Sequence, residues 1–527
     1  MQLQIETIQF LLLLLASLFV SRALLPLRCA HIPRDQDRPN RSLLLLALLI
    51  PIIAALSPSA DPVNTPTTIM TLALGFIWVL SLLPTPPLAE NLRRPHELSP
   101  NRSCKLLLLA LFGCTLLIPQ AFVPLFVLTH MLNQSKYRLV STTELLMPHT
   151  LSVILCTALV CSLVTPIHPA VLLIALSATA GAHYAPSAIK KLRMDWDRVN
   201  RLGNLAVAAR TQNNWTMLCR IPLAQTVLTR TGFITQPIVI AIEAFAIFAF
   251  VDHRLLVVLF SALIVMHAGI FLTTGICFWK WMIALGAIIA ASFAATQTVP
   301  FAPDPLNTLV LFAAAVSIPF AFTTIPTLAW YDAPIARRIT FTLSDDCRTA
   351  RITPYDIAPL DMILSQSRHE AYFRDAPTSL DCFGACYDRT TSVLLNQLSA
   401  DTQSSAAEKA ARARSILTAH ATTYQNRSAL ENECSAIITQ LRSNLARRPG
   451  PTIANYHIWN ALPRVPRTHL LEILDSPNPT LTVEREVFLH CTATAQQISI
   501  DCRSVKLNIR GSECRLDTPR QTPAAIA

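Results

Sequence analysis

Only seven of the 43 Lys and Arg residues in this chain are lysines, at positions 105, 136, 190, 191, 280, 409 and 506. Arginine stays protonated in proteins and cannot act as a base, whereas a desolvated lysine gives up its proton. Lys190 and Lys191 stand side by side where a long apolar run closes, within the stretch from His183 to Trp196. A lysine pair at the mouth of an apolar segment is a place for proton-transfer chemistry. The plain alternative is that both side chains snorkel to lipid headgroups and mark a helix end. Other ionisable residues lie inside apolar runs, where they are costly and become functional candidates by default. Glu243 sits in Val-Ile-Ala-Ile-Glu-Ala-Phe-Ala-Ile-Phe with no basic residue within one helical turn. It must protonate or find a partner on another helix. His267 interrupts a similar run, and His149 follows Pro148 at what reads as the head of a span. His168 and His183 read as interfacial. If residues 184–196 are helical, Ile189, Leu192 and Trp196 share one face, and Tyr184, Ala188, Lys191 and Asp195 share another. Lys191 then points to a pocket or to Asp195.

These residues need elements to hold them, and the composition says which kind. The chain has 527 residues, 52% apolar and 14% charged, with a mean hydropathy of +0.43. That profile points to a multi-span membrane protein with an attached polar domain. Glycine is scarce, at 11, and neither a dinucleotide-binding GxGxxG nor a P-loop occurs. The net charge of +11 belongs with loops on anionic lipid. Aromatic residues are not interleaved with the basic ones, so no nucleic-acid platform is expected. Of the fourteen cysteines, seven lie in or beside apolar segments. The others are Cys347, Cys382, Cys386, Cys434, Cys491, Cys502 and Cys514, a density that suits disulfides in an oxidising compartment. Cys382 and Cys386 alone do not make a zinc site, and no metal is expected.

Apolar segments run over about 8–27, 43–57, 67–84, 105–129, 150–165, 169–187, 236–250, 255–274, 278–295 and 307–330. The spacing predicts nine or ten spans. Pro119 and Pro124 kink the fourth, and residues 130–149 read as a polar connection. Basic loops at 28–41 and 90–105 place the N-terminus outside. Beyond Trp330 no spanning run remains. Residues 405–446 have helical composition, and 481–510 alternate like strands. The expected fold is a multi-pass α-helical membrane bundle over residues 1–330, then a soluble α+β domain over 331–517. Residues 518–527 read as a disordered tail.

The pattern Tyr184-x5-Lys190-Lys191-Leu192-x2-Asp195-Trp196 closely resembles a stretch of the vitamin K-dependent γ-glutamyl carboxylases, part of the wider horizontally transferred transmembrane domain (HTTM) group. Glu243, then Met266-His267-Ala268-Gly269-Ile270, then Gly275-Ile276-x-Phe278 is similar to a pattern of the bacterial members. Pro148-His149-Thr150-Leu151 resembles the head of the span that carries the family's catalytic histidine. The resemblance covers about residues 140–295, and in its wider form 8–330. It implies that Lys191 is the amine base that deprotonates reduced vitamin K or another quinol. Oxygen addition then gives a strong base that takes a γ-proton from a peptide glutamate, and the carbanion takes up CO2. It also implies that His149 orients the quinol or stabilises its oxyanion, and that Lys190, Tyr184, Trp196, Glu243 and His267 line its site. The partners implied are membrane lipid and a peptide substrate. Two departures stand out: Ser187-Ala188 replaces the usual Ala-Gly, and the chain after residue 330 does not resemble the luminal domain of the animal enzymes. A different class stays open beside this one. It is a non-catalytic multi-pass protein, a transporter or assembly factor, whose cysteine-bearing domain binds a partner.

Overall fold

The computed structural model describes residues 11–13, 15–17, 41–56, 65–82, 102–136, 142–164, 167–193, 196, 222–274, 278–296, 334–352, 356, 375–376, 389–418, 422–423, 427–446, 466–491, 494 and 496–516. Most of the expected first span, the 307–330 run, the loops at 28–41 and 90–105 (but for its last residues), Asp195, Cys382, Cys386 and the 518–527 tail fall outside these residues, as does the side chain of Lys190. The chain divides into two compact units. One comprises Met1–Leu192, Pro237–Leu272 and Ile276–Thr327, and the other Arg193–Gln236, Thr273–Gly275 and Leu328–Ala527.

The first unit is helical. Its described elements are α1 (Arg41–Leu56), α2 (Thr65–Leu82), α3 (Arg102–Cys114), a 3₁₀ turn at Pro119–Ala121, α4 (Phe122–Lys136), α5 (Thr142–Cys161), α6 (Pro169–Ala182) and α7 (Ala185–Arg193). They continue with α8 (Pro222–Phe245, in this unit from Pro237), a 3₁₀ turn at Ala246–Phe248, α9 (His253–Thr274) and α10 (Trp279–Thr296). Helix α2 packs on α10, and α5 packs on α6. Trp78, Phe122, Phe260, Leu151, Leu176 and Ile288 are fully enclosed in this core. Trp78 satisfies its indole N–H by donating to Ser152 Oγ at 2.8 Å, as a buried indole requires.

Among the described residues, three helices are long and apolar enough to cross a membrane by length and composition: Pro169–Ile189, Arg230–Phe248 and His253–Ile270. The first is 83% enclosed by the protein itself, the other two only 33% and 28%. Their open faces carry Phe233, Ile234, Ile238, Phe245, Val258 and Val265. Open apolar faces of that kind are costly in water and favourable in hydrocarbon.

Four local expectations change. The segment at 105–129 is two helices, because the chain turns at Thr115–Leu117 and enters a new element at Pro119. Pro124 then falls in the first turn of α4, where a missing N–H costs nothing. The polar connection at 130–149 is largely helix, with α4 reaching Lys136 and α5 starting at Thr142. His149 therefore lies inside α5 just after an internal Pro148, not at a helix start. Finally, 184–196 is not one helix. Tyr184 occupies the turn between α6 and α7, and α7 ends at Arg193.

The second unit is built on an antiparallel sheet. Its strands are β1 (Ile335–Ser344), β2 (Thr349–Ile352), β5 (Thr480–Cys491), β6 (Gln496–Arg510) and β7 (Glu513–Leu516), in the order β2-β1-β5-β6-β7. A short pair, β3 (Asp375–Ala376) and β4 (Thr422–Thr423), stands apart. The helices are α11 (Arg389–Ala400), α12 (Ala406–Thr418), α13 (Arg427–Ala446) and α14 (Arg467–Leu474). The long β5–β6 pairing matches the alternation over 481–510, and α12 and α13 take up the expected helical stretch. Leu481, Val483, Leu507 and Ile509 meet α13 and α14 in one apolar cluster. Val487, Leu489, Cys491 and Ile500 meet α11 and α12 in another. Strand alternation sends Glu484, Glu486, Cys502, Ser504 and Lys506 to the opposite, more open face. The β6–β7 turn uses Gly511 at φ +60°, where a glycine has no steric penalty. Edge strand β7 is closed off by α13. Ser435 Oγ takes the Cys514 N–H and Glu431 Oε1 the Leu516 N–H, both at 2.9 Å, which blocks the edge from pairing with another chain. No disulfide joins the described cysteines, which include Cys347, Cys434, Cys491, Cys502 and Cys514 of the second unit.

Candidate functional site

The chemistry-bearing residues of the first unit gather where α6, α7, α8 and α9 meet. Glycine sets the approach. A Cβ on Gly181 would stand 2.1 Å from the Ala246 carbonyl oxygen, so only glycine lets α6 lie against the turn that ends α8. Ala182, Ala185 and Ile247 fill the space beside it. Glu243 lies one turn before Ala246, and Lys191 lies on α7 just past the contact. The close approach therefore brings acid and amine together.

Lys191 Nζ donates to Glu243 Oε1 at 2.5 Å, with the lysine side chain 15% exposed and the glutamate 4%. Ser187 Oγ donates to the same oxygen at 3.4 Å. Glu243 has thus found its partner on another helix, the outcome demanded of a carboxylate in an apolar run. A second polar pair lies nearby. The Tyr184 hydroxyl and His267 Nε2 are 2.8 Å apart. Tyr184 senses the charge of Glu243, and His267 senses that of Lys191, so the four side chains form one electrostatic cluster. Trp281 walls it, with its ring 5.2 Å from Tyr184, 5.8 Å from His267 and 6.0 Å from His183, centroid to centroid. The Phe278 ring lies tilted against His267, 4.9 Å between centroids.

The cluster is not saturated. Glu243 Oε2, His267 Nδ1 and His183 Nε2 are buried without a hydrogen-bond partner among the described residues. Buried polar atoms are normally satisfied, so each such atom asks for a ligand or a water. If the tyrosine donates to Nε2, then Nδ1 carries the proton and is a buried donor. If Nε2 donates, Nδ1 is an acceptor. Glu243 Oε2 accepts in either case. The set can therefore take a proton from, or hand one to, a group lying against Trp281.

The structure joins Lys191, Tyr184, Glu243 and His267, all four named from the sequence. His149 is in a different buried group. Its Nε2 lies 3.2 Å from His130 Nδ1, within rings of Trp78 and Phe126. Trp196 belongs to the other unit, where its carbonyl accepts from Gln236 Nε2 at 2.5 Å. The shared face expected for Ile189, Leu192 and Trp196 does not form as one surface, since the first two are exposed and the tryptophan is buried. Sequence reading took His183 as interfacial and Ser187 only as a departure from the family pattern, and it missed Gly181, Trp281 and, in the His149 group, His130. Gly181 and Trp281 are joined to the site only through tertiary contact. In the second unit, Glu484, Glu486 and Cys502 bring ligand-type atoms within 4.8 Å of one another, but exposed acidic groups of this kind are common without an ion.

No protein-family model, no curated protein and no solved structure matches the chain.

Proposed function

We propose that this chain is a multi-pass membrane enzyme of the carboxylase-like HTTM kind, acting on the proton of a lipid-soluble quinol. The observation that carries the reading is the pairing of Lys191 with Glu243 beside Tyr184–His267, in an apolar helical unit with three unsatisfied buried polar atoms. Those atoms fit a flat ring bearing hydroxyl groups. Trp281 offers the apolar wall, and Glu243 Oε2 and His267 Nδ1 offer the polar ends. Bound there, a quinol would supply reducing equivalents and an acidic hydroxyl. Lys191 and Glu243 act as one proton couple: the lysine hands its proton to the carboxylate and is then free to accept another. Tyr184 and His267 hold the second proton-bearing pair in register. The nine or ten spans expected from the sequence belong to the same proposal, with α8 and α9 facing lipid. Carboxylation of a peptide glutamate is the activity the resemblance implies.

The test is mass spectrometry for added CO2 on glutamates of peptides incubated with membranes, reduced quinone and bicarbonate. Activity is expected to disappear in Lys191→Ala and equally in Lys191→Arg, because arginine keeps the ion pair but not the basicity. Full activity in Lys191→Arg overturns the assigned role. One observation favours a second reading, a non-catalytic membrane protein such as a transporter or assembly factor. The Lys191–Glu243 contact also suffices to clamp α7 to α8. Substrate flux across vesicles that survives Lys191→Ala supports that reading.

A further inference from the structure

A second amine in this chain is buried, and it lies against sulfur. Lys409 is 3% exposed and Cys491 is fully enclosed, and Lys409 Nζ donates to Cys491 Sγ at 3.9 Å. The lysine's other partner is the Asp401 carbonyl. It makes no ion pair with a carboxylate among the described residues, and the nearest acidic charge acting on it is that of Asp401, whose carbonyl it also meets. Local structure places it firmly. Ser405 and Glu408 cap the start of α12 reciprocally, with Ser405 N–H to Glu408 Oε2 at 2.8 Å and Glu408 N–H to Ser405 Oγ at 3.3 Å. That cap fixes Lys409 over the end of β5. Ser399 Oγ donates to the His490 carbonyl at 2.5 Å and anchors α11 to the same strand end. Burial pushes the Cys491 thiol up, and the neighbouring Lys409 works against that rise. A cation beside a thiol favours the thiolate, the form that an oxidant attacks.

We propose that Lys409 and Cys491 form an oxidation-triggered covalent bridge that ties α12 to β5. Hydrogen peroxide is the oxidant. The sulfur attacks one peroxide oxygen, the O–O bond breaks, and the thiol becomes a sulfenic acid with release of one water. The sulfur is oxidised by two electrons and the peroxide is reduced by two. The Lys409 amine, as its neutral form, then places its electron pair on sulfur. The S–O bond breaks, and the departing hydroxide leaves as a second water with the proton the nitrogen loses. The product is a sulfenamide, and sulfenic acids condense with nitrogen in this way elsewhere in proteins. Amine, thiol and one peroxide thus give an N–S bond and two waters. A thiol reductant reverses it. The structural alternative is that Lys409 only tethers the Asp401 loop, in which case its contact with sulfur is passive.

The test treats the full-length chain in detergent with graded hydrogen peroxide, alkylates remaining thiols, digests, and looks for peptides joined between 409 and 491. The expected result is a joined pair lighter by two hydrogens than its parts, reversed by dithiothreitol. Lys409→Arg keeps the cation and its carbonyl contact but lacks the nucleophilic amine. There the joined pair is lost and Cys491 advances to the sulfinic acid. Exposed Cys347 and Cys502 report that the dose was sufficient. If they oxidise in the wild-type chain while Cys491 stays a thiol, or reaches the sulfinic acid unjoined, the proposal is overturned. A joined pair that retains oxygen overturns the condensation step.

Discussion

Lys191 and Glu243 contribute little net stability as a pair and a great deal as unpaired partners. Removing one leaves the other's charge in an apolar setting, which costs about 3 kcal/mol, somewhat less on the partly exposed lysine side. Lys191→Met and Glu243→Leu should each lower the detergent-unfolding midpoint, while the double variant should recover most of the loss. Equal, additive losses would show that the two do not interact. In the second unit, His490 makes the opposite kind of statement. Both ring nitrogens are buried without hydrogen-bond partners among the described residues, and burial holds its pKa down to about 3, from an ordinary 6.5. Between those values the unfolded chain binds a proton that the folded chain refuses. Stability is therefore complete above pH 6.5 and falls as the pH drops towards 3, by at most about 1.4 kcal/mol per unit. Hydrogen exchange of β5 amides should accelerate over that range, and His490→Phe should flatten the dependence. An unchanged pH profile in His490→Phe removes this histidine as the cause.

Helix α6 and the turn after α8 show how one missing methyl group positions a site. Nothing local to Gly181 calls for glycine, since it lies within a helix where alanine is favoured by about 1 kcal/mol. Its reason is the Ala246 carbonyl. Gly181→Val forces the two backbones apart, costing about 1–3 kcal/mol and separating Glu243 from Lys191. The expected outcome is loss of the Lys191-dependent activity together with a lower unfolding midpoint. A variant that keeps both shows that the approach does not set the site. Proline was easier to interpret than its consequences. Pro119 does start a new element, as its missing N–H and fixed φ require. Pro148 instead sits inside α5, where its missing N–H leaves the Glu144 carbonyl without its helical bond, while Ser152 Oγ donates to the Pro148 carbonyl at 2.7 Å. A proline held inside a helix leaves no mark in hydropathy, so residues 142–149 read as connection.

At the scale of the molecule, helices α8 and α9 turn apolar residues outward while the Pro169–Ile189 segment is wrapped by its neighbours. A lipid-soluble photoactivated probe should label Phe233, Ile234, Val258 and Val265 and spare Ala175 and Leu176. The chain should stay in the membrane pellet after alkaline carbonate extraction. Labelling of the enclosed pair, or release by carbonate, would count against a membrane-embedded first unit. The second unit is built differently, on an antiparallel sheet with one face under helices, a glycine hairpin and a capped edge strand.

Much of this was present in the order of the residues alone. Long apolar runs specify helices suited to hydrocarbon, and alternation over 481–510 specifies paired strands, because both follow from the direction of successive side chains. An acid stranded in an apolar run announces that it needs a partner. Which partner it takes was decided by the tertiary structure, since Lys191 and Glu243 are 52 residues apart and meet only where Gly181 admits a neighbouring backbone. The pairings of Tyr184 with His267 and of Lys409 with Cys491 were decided in the same way, by helix approach over long sequence separations that no local spacing encodes.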